Sequence, residues 1–127
     1  MENKPITIFG DGQQTRTFCY IDDHLEATVS CLLNNLFIDD VVNIGNDLEI
    51  SVLELANTIK SITGSSSKIV HLDPLAEGDM TRRQPDIDKM KCLLKRPFIS
   101  LEEGLKKIID EKKIIIQFKI TDFSWVK

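Results

Sequence analysis

The chain has 127 residues, of which 42% are hydrophobic and 28% charged, and its net charge is -4. This length allows one domain with a modest core, and the composition is ordinary for a soluble globular protein. The negative charge argues against a general binder of nucleic acid or of membrane surfaces, since both need a basic field. We therefore expect any anionic ligand to be held by individual arginines.

Targeting signals and cysteine pairs are not evident. No apolar run approaches the roughly 20 residues of a membrane-spanning helix, and residues 1–5 lack the pattern of a signal peptide. The cysteines are odd in number and unrelated in spacing, which favours buried free thiols over a disulfide framework or a zinc site. They are Cys19, Cys31 and Cys92. We therefore expect a cytoplasmic protein.

The first elements predicted along the chain are two short strands separated by a glycine turn. Alternation over residues 6–9 predicts the first strand, and Asp11-Gly12 predicts the turn. Residues 16–21 suit a second strand, after which Asp22 or Asp23 is expected to cap a helix. Four apolar residues of that helix fall on one face: Leu25, Val29, Leu32 and Leu33.

The middle of the chain alternates strands and helices. Residues 41–44 read as a short buried strand. The capping box at residues 51–54 fixes the start of a helix, which Gly64 ends. Residues 68–72 predict another strand, and residues 73–85 form a polar loop.

The last third predicts two further helices. Asp86 can cap a short helix running towards Leu94, and a second capping box at residues 100–103 starts a final helix. The tail, residues 114–127, has high strand propensity and little charge, so it reads as an added strand or a segment prone to edge pairing. The order of elements predicts an α/β protein.

The glycine turn and the arginine after it are the first candidate binding element. The guanidinium of Arg16 can grip a phosphate or diphosphate through two parallel hydrogen bonds, and Phe9 can lie against a flat base. Gly10 and Gly12 let the backbone approach a ligand closely. The alternative is a hairpin turn with a core phenylalanine and a surface cation.

Two further clusters carry polar groups suited to a nucleotide. In the loop from Gly78 to Asp86, Arg82 and Arg83 suit phosphates, and Asp79 can accept hydrogen bonds from ribose hydroxyls; the alternative is a solvated loop. Asn43 ends a predicted strand, a common ligand position in α/β sheets, but a buried asparagine satisfied by backbone fits equally well. His24 and His71 read as surface residues, and no metal spacing or nucleophile–base pair is visible.

Together these clusters resemble the C-terminal half of the NAD-dependent nucleotide-sugar epimerase/dehydratase family, the extended short-chain dehydrogenases. The segments that carry the resemblance lie at residues 5–18, 42–46 and 78–87, and the match extends from Pro5 to about Ile109. The pattern is nearest to UDP-glucuronate decarboxylases, with dTDP-glucose 4,6-dehydratases close behind. The resemblance implies a small substrate lobe, residues 1–113, of short strands packed with about four helices and without a complete Rossmann unit, followed by a divergent tail, residues 114–127.

The resemblance also implies roles for individual residues in holding a UDP- or dTDP-linked sugar. Arg16 would bind the diphosphate, Arg82 a phosphate and Asp79 the ribose. Family members differ in which arginine of this loop reaches the ligand, so Arg83 is the alternative to Arg82. The base would be lined by the first strand and the nucleotide contacted by a later segment: Thr7, Ile8, Phe9 and Asn43. Met80 stands where the family usually has proline.

The family's catalytic parts have no counterpart in these 127 residues. Tyr20 is the only tyrosine, and His24 stands where a Tyr-x-x-x-Lys pair would need lysine. The glycines lack the third glycine and the strand–helix–strand unit of a dinucleotide loop. We therefore expect no catalytic residue and no NAD site in this chain alone, since NAD supplies the redox chemistry of these enzymes.

Three hypotheses about function follow from the resemblance. The chain is the substrate lobe of a nucleotide-sugar enzyme that acts with a separate Rossmann-domain chain, a stand-alone nucleotide-sugar-binding module, or a functionless remnant of a split gene. In each case we expect homo-oligomers, because apolar surface that meets the Rossmann half in the family would be exposed here, and the tail strand is one place for that association.

Overall fold

The chain folds into a mixed arrangement of short strands and helices. The computed structural model describes residues 3–75 and 80–121, with side chains described through residue 112. Within these ranges the order is β1 (Ile6–Phe9), β2 (Thr15–Thr17), α1 (Ile21–Leu33), β3 (Glu49–Ser51), α2 (Val52–Thr63), β4 (Ile69–Leu72), α3 (Asp88–Lys91) and α4 (Leu101–Thr121). The predicted α/β class, with short strands and about four helices, is confirmed.

The strands of the described ranges form two separate two-stranded sheets. Strand β1 pairs in parallel with β4, with Ile6 opposite Ile69. Strand β2 pairs antiparallel with β3, with Thr17 opposite Glu49. The glycine turn therefore carries the chain from one sheet to the other, and the hairpin alternative is wrong.

The second strand is shorter than predicted, and the helix after it starts earlier. Strand β2 ends at Thr17, and α1 has Tyr20 as its N-cap, without a side-chain capping bond. Asp22 and Asp23 instead lie in the first turn of the helix, where a carboxylate favours the positive end of the helix dipole. The predicted aspartate cap is wrong.

Both predicted capping boxes start helices as expected. At α2, Ser51 Oγ accepts from the Glu54 amide at 3.1 Å, and Glu54 Oε2 accepts from the Ser51 amide at 3.0 Å. Gly64 ends this helix with a left-handed φ of 61°. At α4, Ser100 Oγ accepts from the Glu103 amide at 3.2 Å.

The predicted strand at residues 41–44 is absent from the structure. Val41 is 77% exposed, whereas Val42 and Ile44 pack against the core. Its apolar pattern is that of a strand, but a strand also needs a neighbouring strand to satisfy its backbone groups. Among the residues described, no strand pairs with this segment.

The added strand predicted for the tail is wrong over most of its length. Helix α4 continues to Thr121, so residues 114–121 are helical rather than an added strand. Once the capping box has nucleated a helix, each further residue adds a hydrogen bond within the same segment, whereas a strand needs a partner. Residues 122–127 lie outside the described residues, and the division of the chain at residue 113 remains a prediction.

The largest core cluster lies between α1 and the segment around α3. It consists of Ala27, Ile87, Met90, Leu93 and Leu94. The cysteines are free, but Cys92 is exposed, so the expectation of buried thiols is wrong there. Helix α3 is a single turn that buries Met90, and Cys92 follows it at the C-cap. No helix in the described ranges is long and apolar enough to cross a membrane.

An ion pair fixes α1 to the segment that precedes α4. The Asp23 side chain is fully buried; its Oδ1 accepts from Arg96 Nη1 at 2.6 Å and its Oδ2 from the Ile99 amide at 2.9 Å. Arg96 Nε also donates to Glu26 Oε2 at 2.8 Å. The bond to Asp23 raises the pKa of Arg96 above its ordinary value. The sequence analysis did not anticipate this pair.

Candidate functional site

Arg16 lies in the middle of β2 and is half-buried. Its Nη1 donates to the backbone oxygen of Met80 at 2.7 Å and to that of Thr15 at 2.7 Å. Met80 belongs to the loop that carries Arg82, here called the arginine loop, of which residues 80–86 are described. The guanidinium of the first predicted cluster is therefore bonded to the backbone of the second, 64 residues further along the chain.

The backbone joins the same two clusters. The amide of Thr15, at the start of β2, donates to the oxygen of Thr81 at 2.9 Å. This bond places residues 80–82 alongside the end of the glycine turn. Segments that the sequence analysis could only associate by resemblance thus lie side by side in the structure.

Arg82, the predicted phosphate ligand, is paired with a carboxylate. Its Nε donates to Glu49 Oε1 at 2.8 Å and its Nη2 to Gln84 Oε1 at 2.5 Å. Thr15 Oγ1 donates to the same Glu49 oxygen at 2.9 Å. The bonds from Arg82 and Thr15 lower the pKa of Glu49, and the carboxylate raises the pKa of Arg82.

Sequence reasoning missed Glu49. The available signal was an acidic residue two positions before the Ser51–Glu54 capping box, in a stretch that could extend as a strand. Only the pairing of β3 with β2 brings this residue beside Thr15 and hence beside Arg82. Nothing local in the sequence connects it with the arginine loop.

A groove of about 580 Å³ lies beside the glycine turn. This volume falls in the range of small-molecule pockets. The groove is lined by Phe9, Gly10, Asp11, Gln13, Gln14, Pro74, Leu75 and Thr81. It therefore lies between the first predicted cluster and the arginine loop.

The three residues predicted to line a base differ in how much of their side chains is exposed. Thr7 is exposed and Phe9 is 43% exposed, so both can offer side chains to a ligand. Ile8 is only 2% exposed, so its side chain belongs to the core and only its backbone can contribute. Gln14 Nε2 donates to the Phe9 oxygen at 3.0 Å, which holds the two ends of the turn together.

Asn43 contacts the far end of the arginine loop. Its Nδ2 donates to the backbone oxygen of Asp86 at 3.0 Å. Next to it, a side chain at Gly45 would meet Pro85 at 3.0 Å, so this glycine allows a close approach between the two segments. Asn43 is thus brought to the arginine loop, but to its end rather than to the side that meets β2.

The remaining predicted residues contribute less to this geometry. Asp79, with Gly78, lies outside the described residues, and Arg83 is exposed. His24 and His71 are exposed as predicted, and His71 Nδ1 lies 2.8 Å from the Gly10 oxygen. The described part of the chain contains no group of three His, Cys, Asp or Glu side chains that could hold a metal ion.

Comparison with known proteins finds relatives in one family. Residues 1–45 match the NAD dependent epimerase/dehydratase family. UDP-glucuronic acid decarboxylase 1 of Danio rerio is 44% identical over 110 residues, which cover 86% of this chain and 26% of that protein. UDP-N-acetyl-alpha-D-glucosaminuronate decarboxylase of Bacillus cytotoxicus is 36% identical over 115 residues, covering 86% and 36%. The chain therefore spans between a quarter and little more than a third of these relatives' length.

Solved structures agree with this assignment. UDP-glucuronic acid 4-epimerase from Bacillus cereus, in complex with UDP-glucuronic acid and NAD, matches with a TM-score of 0.77 and 38% identity, over 90% of this chain and 37% of that one. UDP-glucose 4-epimerase from Thermotoga maritima, with UDP-glucose, matches with a TM-score of 0.77 and 31% identity, over 90% and 36%. In sequence and in fold, this chain is therefore similar to a part of the proteins of the NAD-dependent epimerase/dehydratase family, as its motifs predicted.

Proposed function

We propose that this chain is the substrate-binding lobe of an NAD-dependent nucleotide-sugar decarboxylase, epimerase or dehydratase, and that it holds the nucleoside diphosphate of the sugar donor. The observation that carries the proposal is the bond from Arg16 to the Met80 oxygen, which joins two arginine-bearing segments beside a groove. Such a groove, with Phe9 in its wall, suits a flat base linked to a diphosphate. The Bacillus cereus relative, whose structure contains UDP-glucuronic acid, supports this choice of ligand.

In this proposal Arg16 and Arg82 share the diphosphate, because guanidinium groups bind phosphate oxygens through paired, charge-assisted bonds. The base lies in the groove by the glycine turn, against exposed side chains and backbone of β1. A further residue contacts the nucleotide from the far end of the arginine loop. The residues involved are Thr7, Ile8 through its backbone, Phe9 and Asn43. Which sugar, which base and which reaction are served depends on residues outside this set.

The glycine turn does not fit a dinucleotide. In a dinucleotide-binding unit the glycine loop leads into a helix, whose N-terminus receives the pyrophosphate. Here Gly10 and Gly12 lead into strand β2. We therefore place NAD, which supplies the hydride chemistry in this family, on a dinucleotide-binding half outside these residues, in the same protein or in a separate chain.

Helix α1 offers a surface for such a half. One side of the helix packs on the core through Asp23 and Ala27. The other, here called the α1 surface, is formed by Ile21, Leu25, Val29, Leu32 and Leu33, each between 47% and 77% exposed. At 100° per residue these five lie on an arc of about 120°. They expose on the order of 500 Å² of apolar area, near the upper end for the largest patch of a typical monomer.

We predict that the 127-residue chain by itself self-associates through the α1 surface. Covering about 500 Å² of apolar area favours association by up to about 12 kcal/mol before the entropy of binding is subtracted. The double variant Leu25→Asp/Leu32→Asp should lower the mass in analytical ultracentrifugation to that of a monomer. Leu48→Asp, which changes an exposed leucine outside α1, is the matched control. A wild-type chain that stays monomeric at about 100 μM would contradict the prediction.

Binding of UDP tests the proposed function. In isothermal titration calorimetry we expect weak binding of UDP and of UDP-glucuronate, and none of NAD. Arg16→Ala should abolish binding, and Arg16→Lys should weaken it about tenfold, because lysine keeps the charge but loses the planar fork. Lys106→Ala removes an exposed cation from α4 and should bind like the wild type.

Two results would count against the proposal. Absence of binding by the folded wild-type chain to UDP, UDP-glucuronate and dTDP-glucose would contradict a nucleotide-sugar lobe and favour a functionless remnant. Measurable affinity for NAD would contradict the location of the dinucleotide site outside these residues. Circular dichroism of each variant ensures that lost binding is not lost folding, since Arg16 also holds the loop at Met80.

A further inference from the structure

Arg82 is paired with Glu49. The two groups form an ion pair with an N–O distance of 2.8 Å, in which 64% of the Arg82 side chain and 25% of the Glu49 side chain remain exposed. Glu49 takes the Nε donor and Gln84 one Nη2 donor, so a phosphate that binds Arg82 through Nε has to displace the carboxylate. The Glu49–Arg82 pair therefore affects how the proposed site binds a diphosphate.

We propose that Glu49 is a stand-in anion, which holds Arg82 while the site is empty and is exchanged for a phosphate of the nucleoside diphosphate when ligand binds. Glu49 then sets the affinity of the site, since it competes with the ligand for Arg82. The inference rests on the proposed function, because it takes Arg82 as a phosphate ligand. Glu49 would thus lower the affinity of the site for the diphosphate, whereas Arg16 and Arg82 raise it.

The surroundings of the pair suit an exchange of partners. Glu49 lies on a strand and keeps a second bond, from Thr15 Oγ1 at 2.9 Å, so it stays in place when Arg82 leaves. Arg82 lies on a loop and is largely exposed, so its side chain can turn without disturbing the core. Exposed ion pairs are weak, and a diphosphate offers more charge than one carboxylate. The bond from Arg82 lowers the pKa of Glu49, as expected for a carboxylate that is ionised and paired.

The geometry of β2 explains why the exchange is needed. Side chains alternate along a strand, so Thr15 and Arg16 leave β2 on opposite faces. Glu49, bonded to Thr15, keeps Arg82 on the Thr15 side. Both guanidinium groups can therefore meet one diphosphate only after Arg82 has released Glu49.

A purely structural role for Glu49 makes the opposite prediction. In that case the carboxylate serves only to fasten the arginine loop to β3, as Gln84 fastens it to the residues just before β3 through its bond to the Asp47 oxygen at 2.8 Å. Removing the charge would then loosen the loop and weaken ligand binding. The direction of the change in affinity separates the two roles.

Calorimetry on the 127-residue chain tests the inference with UDP and with uridine, which lacks the phosphates. Glu49→Gln keeps the side-chain size and an acceptor for Thr15, and should bind UDP about three- to tenfold more tightly than the wild type. Uridine affinity should not change. Asp40→Asn removes the same charge from an ion pair with Lys89, outside this cluster, and should leave UDP affinity at the wild-type value. In Glu49→Gln/Arg82→Ala the gain should vanish.

Each other outcome overturns the inference in a recognisable way. If the wild type binds UDP and Glu49→Gln binds it equally or more weakly, Glu49 is structural and the proposed function stands. If Glu49→Gln gains the same factor for uridine, or if Asp40→Asn gains as much, the effect does not pass through Arg82. If neither the wild type nor Glu49→Gln binds UDP while both remain folded by thermal melting, the proposed function and the inference fail together.

Discussion

Replacing Asp23 by alanine is expected to lower the free energy of unfolding by about 3 kcal/mol, a large share of the 5–15 kcal/mol typical of a small domain. The Asp23 side chain is fully buried and accepts bonds from Arg96 Nη1 and from the Ile99 amide. Alanine leaves the Ile99 amide without this acceptor and opens a space beside Ala27. Urea unfolding followed by circular dichroism measures the change.

Two further variants separate charge from position. Asp23→Asn keeps the size of the side chain but turns one acceptor into a donor that faces existing donors, so we expect a loss of about 1–2 kcal/mol. Asp22→Ala removes the same charge from the same helical turn at an exposed position, and should cost no more than about 0.5 kcal/mol. Equal losses for Asp22→Ala and Asp23→Ala would show that the ion pair adds nothing. All variants are compared at one protein concentration, because association shifts apparent stability.

The same aspartates show what local sequence signals can and cannot predict. Helix boundaries set by groups within four residues of each other were predicted well, as at the Ser51–Glu54 capping box and at Gly64. Asp22 and Asp23 give the same local signal, that of an acidic helix start. What distinguishes them is Arg96, which lies 73 residues from Asp23 in sequence, and no local pattern connects the two.

Strand predictions failed where a partner was required. Residues 41–44 and the tail both have the composition of strands, yet neither pairs with a strand in the described ranges. A helix satisfies its backbone within one segment, whereas a strand depends on what lies beside it. The α1 surface shows the same dependence. The sequence predicts its apolar stripe, but whether the stripe is exposed depends on which other part of the protein covers it.

The sequence indicated candidate residues for the site, but it did not indicate the hydrogen bonds between them. Arg16 was predicted from its type and its position after a turn, whereas Arg82 was preferred to Arg83 only through the family resemblance; the structure brings their segments together through Met80 and Thr81. The partner of Arg82, Glu49, depends on the pairing of β2 with β3. Sequence reasoning therefore predicted the two arginine-bearing segments that the structure brings together, and missed the carboxylate that is bonded to Arg82.

Gly12→Ala is expected to cost about 2–5 kcal/mol of unfolding free energy, the largest effect of a single methyl group in the glycine turn. Gly12 has φ +78°, where an L-residue loses roughly 1–2 kcal/mol. A Cβ at this position would also lie 3.1 Å from Leu53 Cβ and 3.2 Å from Ile8 Cγ2, and overpacking typically adds about 1–3 kcal/mol. Because the turn forms one wall of the groove, UDP affinity should fall as well.

Two other glycines allow the backbone and packing contributions to be measured separately. Gly64 has φ +61° and nothing within 4 Å of an added Cβ, and Gly10 has φ +68° with its nearest contact at 3.9 Å, to Pro74. Alanine at either position should therefore cost only the backbone part, about 1 kcal/mol. The excess at Gly12 measures how tightly the turn is packed against the start of α2. If Gly12→Ala lowers the free energy of unfolding no more than Gly64→Ala does, the turn can move away from Leu53. The turn would then not be a rigid wall of the groove proposed for the nucleotide.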